Sequence, residues 1–351
     1  MYGNFRFRLN SKRIQYDFQI FRKITKVIGY SGTGKSRLIE SIEYSKQPKT
    51  GYSIVCDYEC EVINTSFFTP INNIINDIKQ RHTKHNSLVY AEAMRESLKI
   101  YDNKLFFVDE DFYYLTSDNF SSFCKYTDSF FVIITRDYLS NLPYSFSDIY
   151  EMKASGKFHT LKRKFLTEVF NKLNCHANAN CVVEDSNSGF TFFQKYYKFC
   201  TSANGKRNIK SVIDSNTEIV IADGAAFGSE IEVVLTKLQN KAHTLFLPES
   251  FEYLLLCSDL FKDNKDVQIL LKDPYKMIDG LSLSWEEFFT KFLMNITAGF
   301  SNAYTKSNLN YCYSEDCCIR DKQKCNMNKI QNKVSRLINS YSDKVAKIEI
   351  F

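Results

Sequence analysis

The sequence has few of the residues that mark flexible, repetitive or membrane-spanning chains. It contains five prolines, twelve glycines and one tryptophan in 351 residues, with no internal repeat and no low-complexity segment. No apolar run approaches the roughly 20 residues that a membrane-spanning helix needs. Residues 1–13 mix arginine with aromatic side chains and lack the apolar stretch of a signal peptide. These absences favour a folded cytoplasmic protein with no membrane partner.

The composition is that of a globular chain with room for two domains. Hydrophobic residues make up 44% and charged residues 25%, so a sizeable core can form. The net charge of +6 permits a polyanionic partner without requiring one. Eleven cysteines are many for a cytoplasmic protein, but they are spread along the chain through apparent core strands. We therefore interpret most of them as reduced, buried thiols.

The stretch around residue 30 carries the clearest motif. Residues 24–28 read as a buried strand, residues 37–44 read as a helix, and between them residues 29–36 fit G-x-x-x-x-G-K-[ST], the Walker A loop. Glycines let successive backbone N–H groups point at one anion, and the helix N-terminus adds positive charge. Lys35 can reach the β- and γ-phosphates of ATP, and Ser36 can offer its hydroxyl to Mg²⁺. The predicted nucleotide-binding residues are Gly29, Tyr30, Ser31, Gly32, Thr33, Gly34, Lys35, Ser36, Arg37 and, from a later strand, Arg136.

A second motif supplies carboxylates. Residues 104–108 form an apolar run that is followed by Asp109 and Glu110, the Walker B pattern. A central strand would place both acids beside the phosphate loop, Asp109 towards Mg²⁺ and Glu110 towards the attacking water. Residues 130–135 read as a third parallel strand, and Arg136 after it is a candidate γ-phosphate sensor or a surface salt-bridge partner. Lys35, Asp109 and Glu110 are thus the predicted catalytic residues of this half.

On these motifs the first half resembles P-loop ATPases of the broad ABC/AAA-like group, with antiparallel strands leading into Walker A. The resemblance implies an α/β domain with a mostly parallel sheet, ATP and Mg²⁺ as cofactors, and a homo-oligomer that completes its site across subunits. The chain has no L-S-G-G-Q signature, so a full ABC-type composite site is not implied.

The second half alternates short apolar strands that end in acids with helical segments. Glu184 ends one strand and Asp223 ends another, and two such acids can share a divalent metal. The stretch 182–256 resembles the TOPRIM-type domain of OLD-family nucleases and related bacterial defence proteins. Residues 205–209 match its G-K-S-N-I-like turn and residues 251–254 its acidic last piece, but Ala225 replaces the second aspartate of its D-x-D motif. The resemblance implies a smaller α/β domain in which Glu184 and Asp223 are metal-binding and catalytic, with Asp185, Glu230, Glu249 or Glu252 as further ligands.

The last part of the sequence is predicted to be helical, over residues 285–293 and 329–345. Between them four cysteines with the spacing C-x₄-C-C-x₆-C can ligate zinc, although reduced, unligated thiols are the favoured interpretation. These are Cys312, Cys317, Cys318 and Cys325. The predicted domains are a P-loop ATPase domain at 1–165, a TOPRIM-like domain at 174–275 and a helical C-terminal region at 276–351.

Three functions remain open on the sequence alone. The first is a nucleotide-gated nuclease that acts in defence against foreign DNA. The second is a regulatory ATPase switch whose second domain binds a protein or nucleic acid without cleaving it. The third is a nucleotide kinase, which the scarcity of arginine near Walker A disfavours, since Arg37 is the nearest one.

Overall fold

The computed structural model describes residues 3–30, 32–82, 87–165, 168–169, 178–238, 243–278, 280–313 and 346–350. The chain divides into two compact units, both of them discontinuous in sequence. Unit 1 comprises residues 1–165 and 275–284, and unit 2 comprises residues 166–274 and 285–351. The domain limits predicted from the sequence stay predictions. None of the helices in the described part of the chain combines the length and apolar character that a bilayer crossing requires.

Unit 1 is a layered α/β structure built on one large sheet. Its strands are β1 Phe5–Asn10, β2 Gln15–Ile20, β3 Ile24–Ile28, β4 Ser53–Val55, β5 Glu59–Ile63, β6 Lys104–Val108, β7 Phe130–Ile134, β8 Ile149–Ser155 and β9 Phe158–Arg163. Its helices are α1 Lys35–Ser45, α2 Thr65–Arg81, α3 Ser87–Leu98 and α4 Asp118–Tyr126.

The strand order across the described part of this sheet is β4-β1-β2-β9-β8-β3-β7-β6-β5. From β8 through β3, β7 and β6 to β5 each adjacent pair is parallel, and so is the pair of β2 and β9. The pairs of β1 with β2, β1 with β4 and β8 with β9 are antiparallel. Because β3, β6 and β7 are parallel, their carboxyl ends lie at one edge of the sheet. The mixed α/β class with a large, mostly parallel sheet is confirmed.

The burial of each strand follows its sequence pattern. In β1 the residues Phe5, Phe7 and Leu9 are buried and alternate with exposed arginines, so one face of the strand packs on the core. By contrast, β7 is buried at all five positions, as its continuous apolar run predicts for a central parallel strand. The rings of Phe7 and Phe107 lie 5.0 Å apart, which ties the antiparallel strands to the central ones in one core.

In unit 1 the sequence pattern predicts helices over residues 70–82 and 161–173. The structure differs from both predictions, and it contains a strand, β5, that the pattern does not predict. The second helix begins at Thr65 rather than at Pro70, because the side chain of Asn64 caps it by accepting the N–H of Phe67 at 2.9 Å. The segment 161–163, predicted to start a helix, is the end of β9, which a tight turn at Gly156 folds back against β8. Strand β5 was missed because acidic residues interrupt its apolar pattern.

Unit 2 contains a second, smaller sheet with helices around it. Its strands are β10 Glu168–Val169, β11 Asn180–Val183, β12 Phe199–Ser202, β13 Ile219–Ile221, β14 His243–Leu247 and β15 Ala346–Ile350. Its helices are α5 Ser188–Tyr196, α6 Ile209–Val212, α7 Ile231–Leu238, α8 Phe251–Leu256, α9 Lys265–Lys272 and α10 Trp285–Thr297.

Among the described strands of unit 2 the order is β10-β15-β14-β13-β11-β12. Strands β12, β11, β13 and β14 are parallel, whereas β15 is antiparallel to both β14 and β10. The predicted helix at 285–293 lies within α10, and the one at 329–345 lies outside the described residues. Since β11 and β13 are adjacent and parallel, the residues that follow them, Glu184 and Asp223, lie at the same edge of the sheet.

Candidate functional site

The phosphate-loop motif of unit 1 joins β3 to α1 and adopts a tight curl. Gly32 has φ = 81° and Gly34, the residue that caps α1, has φ = 94°, both in the left-handed region where a side chain would strain the backbone. The hydroxyl of Thr33 donates to the carbonyl of Tyr30 at 2.9 Å and holds the curl closed. Ser31 lies outside the described residues. Tyr30 is 78% exposed, and Ser36 and Arg37 are exposed in the first turn of α1.

Lys35 folds back over the same curl. Its ammonium donates to the carbonyl oxygens of Gly29 at 2.7 Å and Tyr30 at 3.0 Å. Burial lowers the pKa of Lys35 and the charge of Arg136 lowers it further, whereas Glu110 and Asp109 raise it. Both acids and Arg136 are therefore close enough to act electrostatically on this ammonium. Asp109, Glu110 and Arg136, which the sequence predicts to share a site with Lys35, therefore all influence the pKa of its ammonium.

The acids follow β6, with β7 lying between β6 and β3. Asp109 is half-buried and accepts the N–H of Glu110 at 2.9 Å, whereas Glu110 is exposed. At the end of β7, Thr135 is buried and accepts the N–H of Asp137 through its hydroxyl at 3.0 Å, and Arg136 is exposed. The Asp109 carboxylate is thus oriented by the N–H of the next residue, whereas the exposed Glu110 carboxylate and Arg136 guanidinium are accessible to solvent or a ligand.

Two residues behind the loop escaped the sequence analysis. The hydroxyl of Tyr16, in β2, donates to the carbonyl of Gly34 at 2.7 Å, and the Tyr16 and His159 rings lie 4.7 Å apart. A Cβ placed on Gly34 would lie 2.7 Å from Nε2 of His159 and 3.1 Å from the Tyr16 hydroxyl. Tyr16 is fully buried. An alternating strand pattern predicts a buried tyrosine but carries no signal that its hydroxyl reaches a loop 18 residues later.

Replacing Tyr16 with phenylalanine is expected to weaken the ATP binding that the loop motif predicts by roughly two- to tenfold, since one hydrogen bond contributes about 0.5–1.5 kcal/mol. The lost bond is the one that restrains the Gly34 carbonyl at the start of α1. Titration with a fluorescent ATP analogue measures the change. Tyr44→Phe, at an exposed tyrosine of α1, is the matched control, and equal affinities for the two variants would contradict the restraint.

In unit 2 the two strand-end acids are connected through the backbone. Oε2 of Glu184 accepts the N–H of Asp223 at 3.0 Å, and Oδ1 of Asp223 accepts the N–H of Phe251, at the start of α8, at 2.9 Å. Burial raises the pKa of Glu184 to about 7, with Glu286 as the next cause. Burial, then Glu286, Glu184 and Glu252, also raise the pKa of Asp223. These acids repel one another inside a poorly hydrated site.

Beside these acids lies a small cavity with a volume of about 20 Å³, enough for one water-sized occupant. Glu184, Asp185 and Asp223 line it together with apolar side chains. Asp185 is committed to the start of α5, because Oδ1 accepts the N–H of Asn187 at 3.0 Å and Oδ2 accepts that of Gly189 at 2.7 Å. Both carboxylate oxygens of Asp185, one of the further ligands that the sequence suggested, thus already accept a backbone hydrogen bond.

Four further residues, distant in sequence, lie around Glu184 and Asp223. The hydroxyl of Tyr304 donates to Oε1 of Glu252 at 2.8 Å, and the ammonium of Lys306 lies 2.7 Å from Oε1 of Glu286. Glu252 is 1% exposed, and its Oε2 has no hydrogen-bond partner within the described residues. Burial lowers the pKa of Lys306, but Glu286 and then Glu252 outweigh this and raise it overall. We call Glu184, Asp223, Glu252 and Glu286 the acid cluster.

The arrangement of the carboxylates around Glu184 and Asp223 bears on the predicted metal site. Within the residues that the structure describes, no group of three or more His, Cys, Asp or Glu side chains is arranged to hold a metal ion. Ala225, two residues after Asp223, is buried and adds no carboxylate to the cluster. The ammonium of Lys206 is used structurally, since it donates to the carbonyl of Ala226 at 2.6 Å. Metal binding by Glu184 and Asp223 stays a prediction.

The predicted zinc cluster is represented by one residue in the described part of the chain. Cys312 is buried with a free thiol, whereas Cys317, Cys318 and Cys325 lie outside the described residues. No arrangement of described side chains supports a zinc ion.

Comparisons with known proteins leave the chain without a family. No family model matches the sequence, and no curated protein is found to match it. One of the solved structures that match is a metal-chelate type ABC transporter in an inward-facing conformation. The identity is 15% and the TM-score 0.24, over 46% of this chain and 84% of that one. At that TM-score the likeness assigns no activity, and the site is interpreted from its own geometry.

Proposed function

We propose that this protein binds ATP with Mg²⁺ at residues 29–36 and hydrolyses it slowly. The observation that carries the proposal is the position of Lys35. Its ammonium lies over a left-handed glycine curl, and the charges of Asp109, Glu110 and Arg136 influence its pKa. A lysine, two carboxylates and a helix N-terminus at the carboxyl edge of parallel strands suit a triphosphate and its metal.

In the proposed reaction, the loop and the residues after β6 and β7 have separate tasks. The backbone N–H groups of the curl and the N-terminus of α1 bind phosphate oxygens, and Lys35 exchanges its two carbonyl partners for the β- and γ-phosphates. The Ser36 hydroxyl and Asp109 would hold Mg²⁺, which neutralises charge on the transferred phosphoryl group. Glu110 orients the attacking water and accepts its proton, and Arg136 contacts the γ-phosphate.

Glu110→Gln is expected to lower ATP hydrolysis by about a hundredfold or more, because a glutamine amide cannot accept the proton of water. ATP binding is expected to persist, since the loop and Lys35 are unchanged. Phosphate release and equilibrium binding of labelled ATP measure the two effects separately. Asp111→Asn, at the exposed acid one residue further along, is the matched control. Hydrolysis at the parent rate in Glu110→Gln would remove Glu110 from the reaction.

For unit 2 we propose a non-cleaving binding role, with unit 1 as a nucleotide-dependent switch. The nucleotide-gated nuclease of a TOPRIM-like domain, acting in defence against foreign DNA, is the alternative. The presence of Ala225 and of the Lys306 ammonium beside the acid cluster favours the switch, because a hydrolytic centre needs enough carboxylates to hold its metal. Assembly into a homo-oligomer, and a nucleic acid or protein as partner, belong to the same proposal.

The test for unit 2 is incubation with ATP, Mg²⁺ or Mn²⁺ and a mixed panel of DNA and RNA. We expect phosphate release without strand cleavage. Cleavage that Glu184→Ala and Asp223→Ala both remove would establish the nuclease instead. Phosphate release in the same tubes keeps a failure of unit 1 distinct from an absence of cleavage by unit 2.

A further inference from the structure

The turn at residues 304–306 is fixed against the helices that surround the acid cluster. The hydroxyl of Ser188, at the start of α5, donates to the carbonyl oxygens of Thr305 and Lys306, both at 2.9 Å. The N–H of Tyr304 donates to the hydroxyl of Thr297, at the end of α10, at 3.0 Å. Side chains that leave this turn therefore have little positional freedom, and two of them reach carboxylates.

The side chains of Tyr304 and Lys306 contact different members of the acid cluster. Tyr304 donates to Glu252, and Lys306 pairs with Glu286 while also acting electrostatically on Glu252 and Asp223. The Lys306 side chain is 45% exposed and the Glu286 side chain 23%, so the ammonium lies at the rim of the cluster. The second oxygen of Glu252 is deeply buried and lacks a hydrogen-bond partner among the described residues. A buried carboxylate that stays ionised is stabilised by a nearby cation, and without one it takes up a proton.

We propose that the Lys306 ammonium is the built-in counter-ion of the acid cluster and takes the place of a divalent cation there. A hydrated ammonium on a four-carbon stem delivers a positive charge to several carboxylates at once without imposing a coordination geometry. The cluster then needs no metal, which agrees with the described residues holding no metal-binding group. The inference does not rest on the proposed ATPase activity of unit 1.

The test removes the ammonium and asks whether a metal replaces it. Lys306→Met in the full chain keeps the length of the side chain and deletes its charge. Mn²⁺ titration without nucleotide, followed by electron paramagnetic resonance, is expected to show a site absent from the parent, with affinity gained about tenfold or more because carboxylate charge sets cation affinity. Adding Asp223→Asn to Lys306→Met is expected to remove that site.

A matched control comes from α10, the helix that carries Glu286. Lys291 pairs with Glu287 on α10 at 2.7 Å, and its side chain is 54% exposed, close to the value for Lys306. Lys291→Met therefore removes an equivalent surface lysine away from the cluster and is expected to bind Mn²⁺ as the parent does.

Three results would overturn the inference. One is a folded Lys306→Met protein with parental Mn²⁺ binding, and another is a parent that already binds Mn²⁺ at a site lost in Asp223→Asn. Should Lys306→Met fail to fold by circular dichroism, the double variant Lys306→Met with Glu286→Gln is expected to recover folding, since it removes one unpaired acid. Failure of that double variant to fold is the third.

Discussion

Lys35→Ala is expected to lower ATP turnover by about a hundredfold or more, comparable to the loss of a charged donor at a transition state. The alanine variant loses the ammonium that donates to the carbonyls of Gly29 and Tyr30 and whose pKa responds to the charges of Asp109 and Glu110. ATP binding is expected to weaken as well, because the ammonium contacts phosphate oxygens in the ground state and in the transition state.

Steady-state phosphate release over a range of ATP concentrations separates the two effects. Lys12→Ala, at an exposed lysine between β1 and β2, changes the net charge equally and is expected to behave like the parent. If Lys35→Ala hydrolyses ATP as the parent does, the nucleotide assignment of the loop is wrong. The loop fold itself is checked by circular dichroism, since Lys35 also forms two structural hydrogen bonds.

Asp148→Ala is expected to lower the free energy of unfolding of unit 1 by about 3–5 kcal/mol, the loss that follows when one partner of a buried ion pair is removed. Asp148 has no exposed surface, and its Oδ2 lies 2.7 Å from Nε of Arg22, whose side chain is 10% exposed. Its other oxygen accepts the hydroxyl of Tyr150 at 3.2 Å. The alanine variant leaves the guanidinium of Arg22 buried beside β3 without this carboxylate.

Urea unfolding followed by far-ultraviolet circular dichroism measures this loss. Trp285, the single tryptophan of the chain, belongs to unit 2, so its fluorescence provides an internal reference in the same samples. Asp17→Ala is the matched control, because Asp17 pairs with Arg6 at 2.6 Å on the surface, where such pairs contribute about 0–1 kcal/mol. Equal losses in the two variants would show that burial does not set the contribution of the Arg22–Asp148 pair.

Local sequence patterns predicted the central part of unit 1 well. The alternation in β1 and β2, the apolar runs of β6 and β7 and the glycine spacing of the loop each carry a physical constraint that is local in sequence. Helix and strand boundaries were less predictable where a side chain decides them. Asn64 starts α2 before Pro70, and Gly156 turns the chain into β9 where the sequence suggested a helix.

Long-range placement was the part that the sequence did not show. Tyr16 reaches Gly34 although β9 and β8 lie between β2 and β3 in the sheet. Glu286 and Lys306 join Glu184 and Asp223 although more than sixty residues separate Glu286 from Asp223. Nothing in the composition around Lys306 distinguishes it from the other lysines. Its role follows from the bonds between Ser188 and the turn at 304–306.

The antiparallel strand β15 has a consequence for the order of events during synthesis on the ribosome. It pairs with both β14 and β10, so residues 346–350 are needed to join strands encoded far upstream. Unit 1 also includes the late segment 275–284, where the carbonyl of Gly280 accepts a hydrogen bond from the buried ammonium of Lys23 at 2.5 Å. Such high contact order slows folding. In a nascent chain the sheet of unit 2 would remain incomplete until β15 is made, with open edges that nascent-chain chaperones can cover.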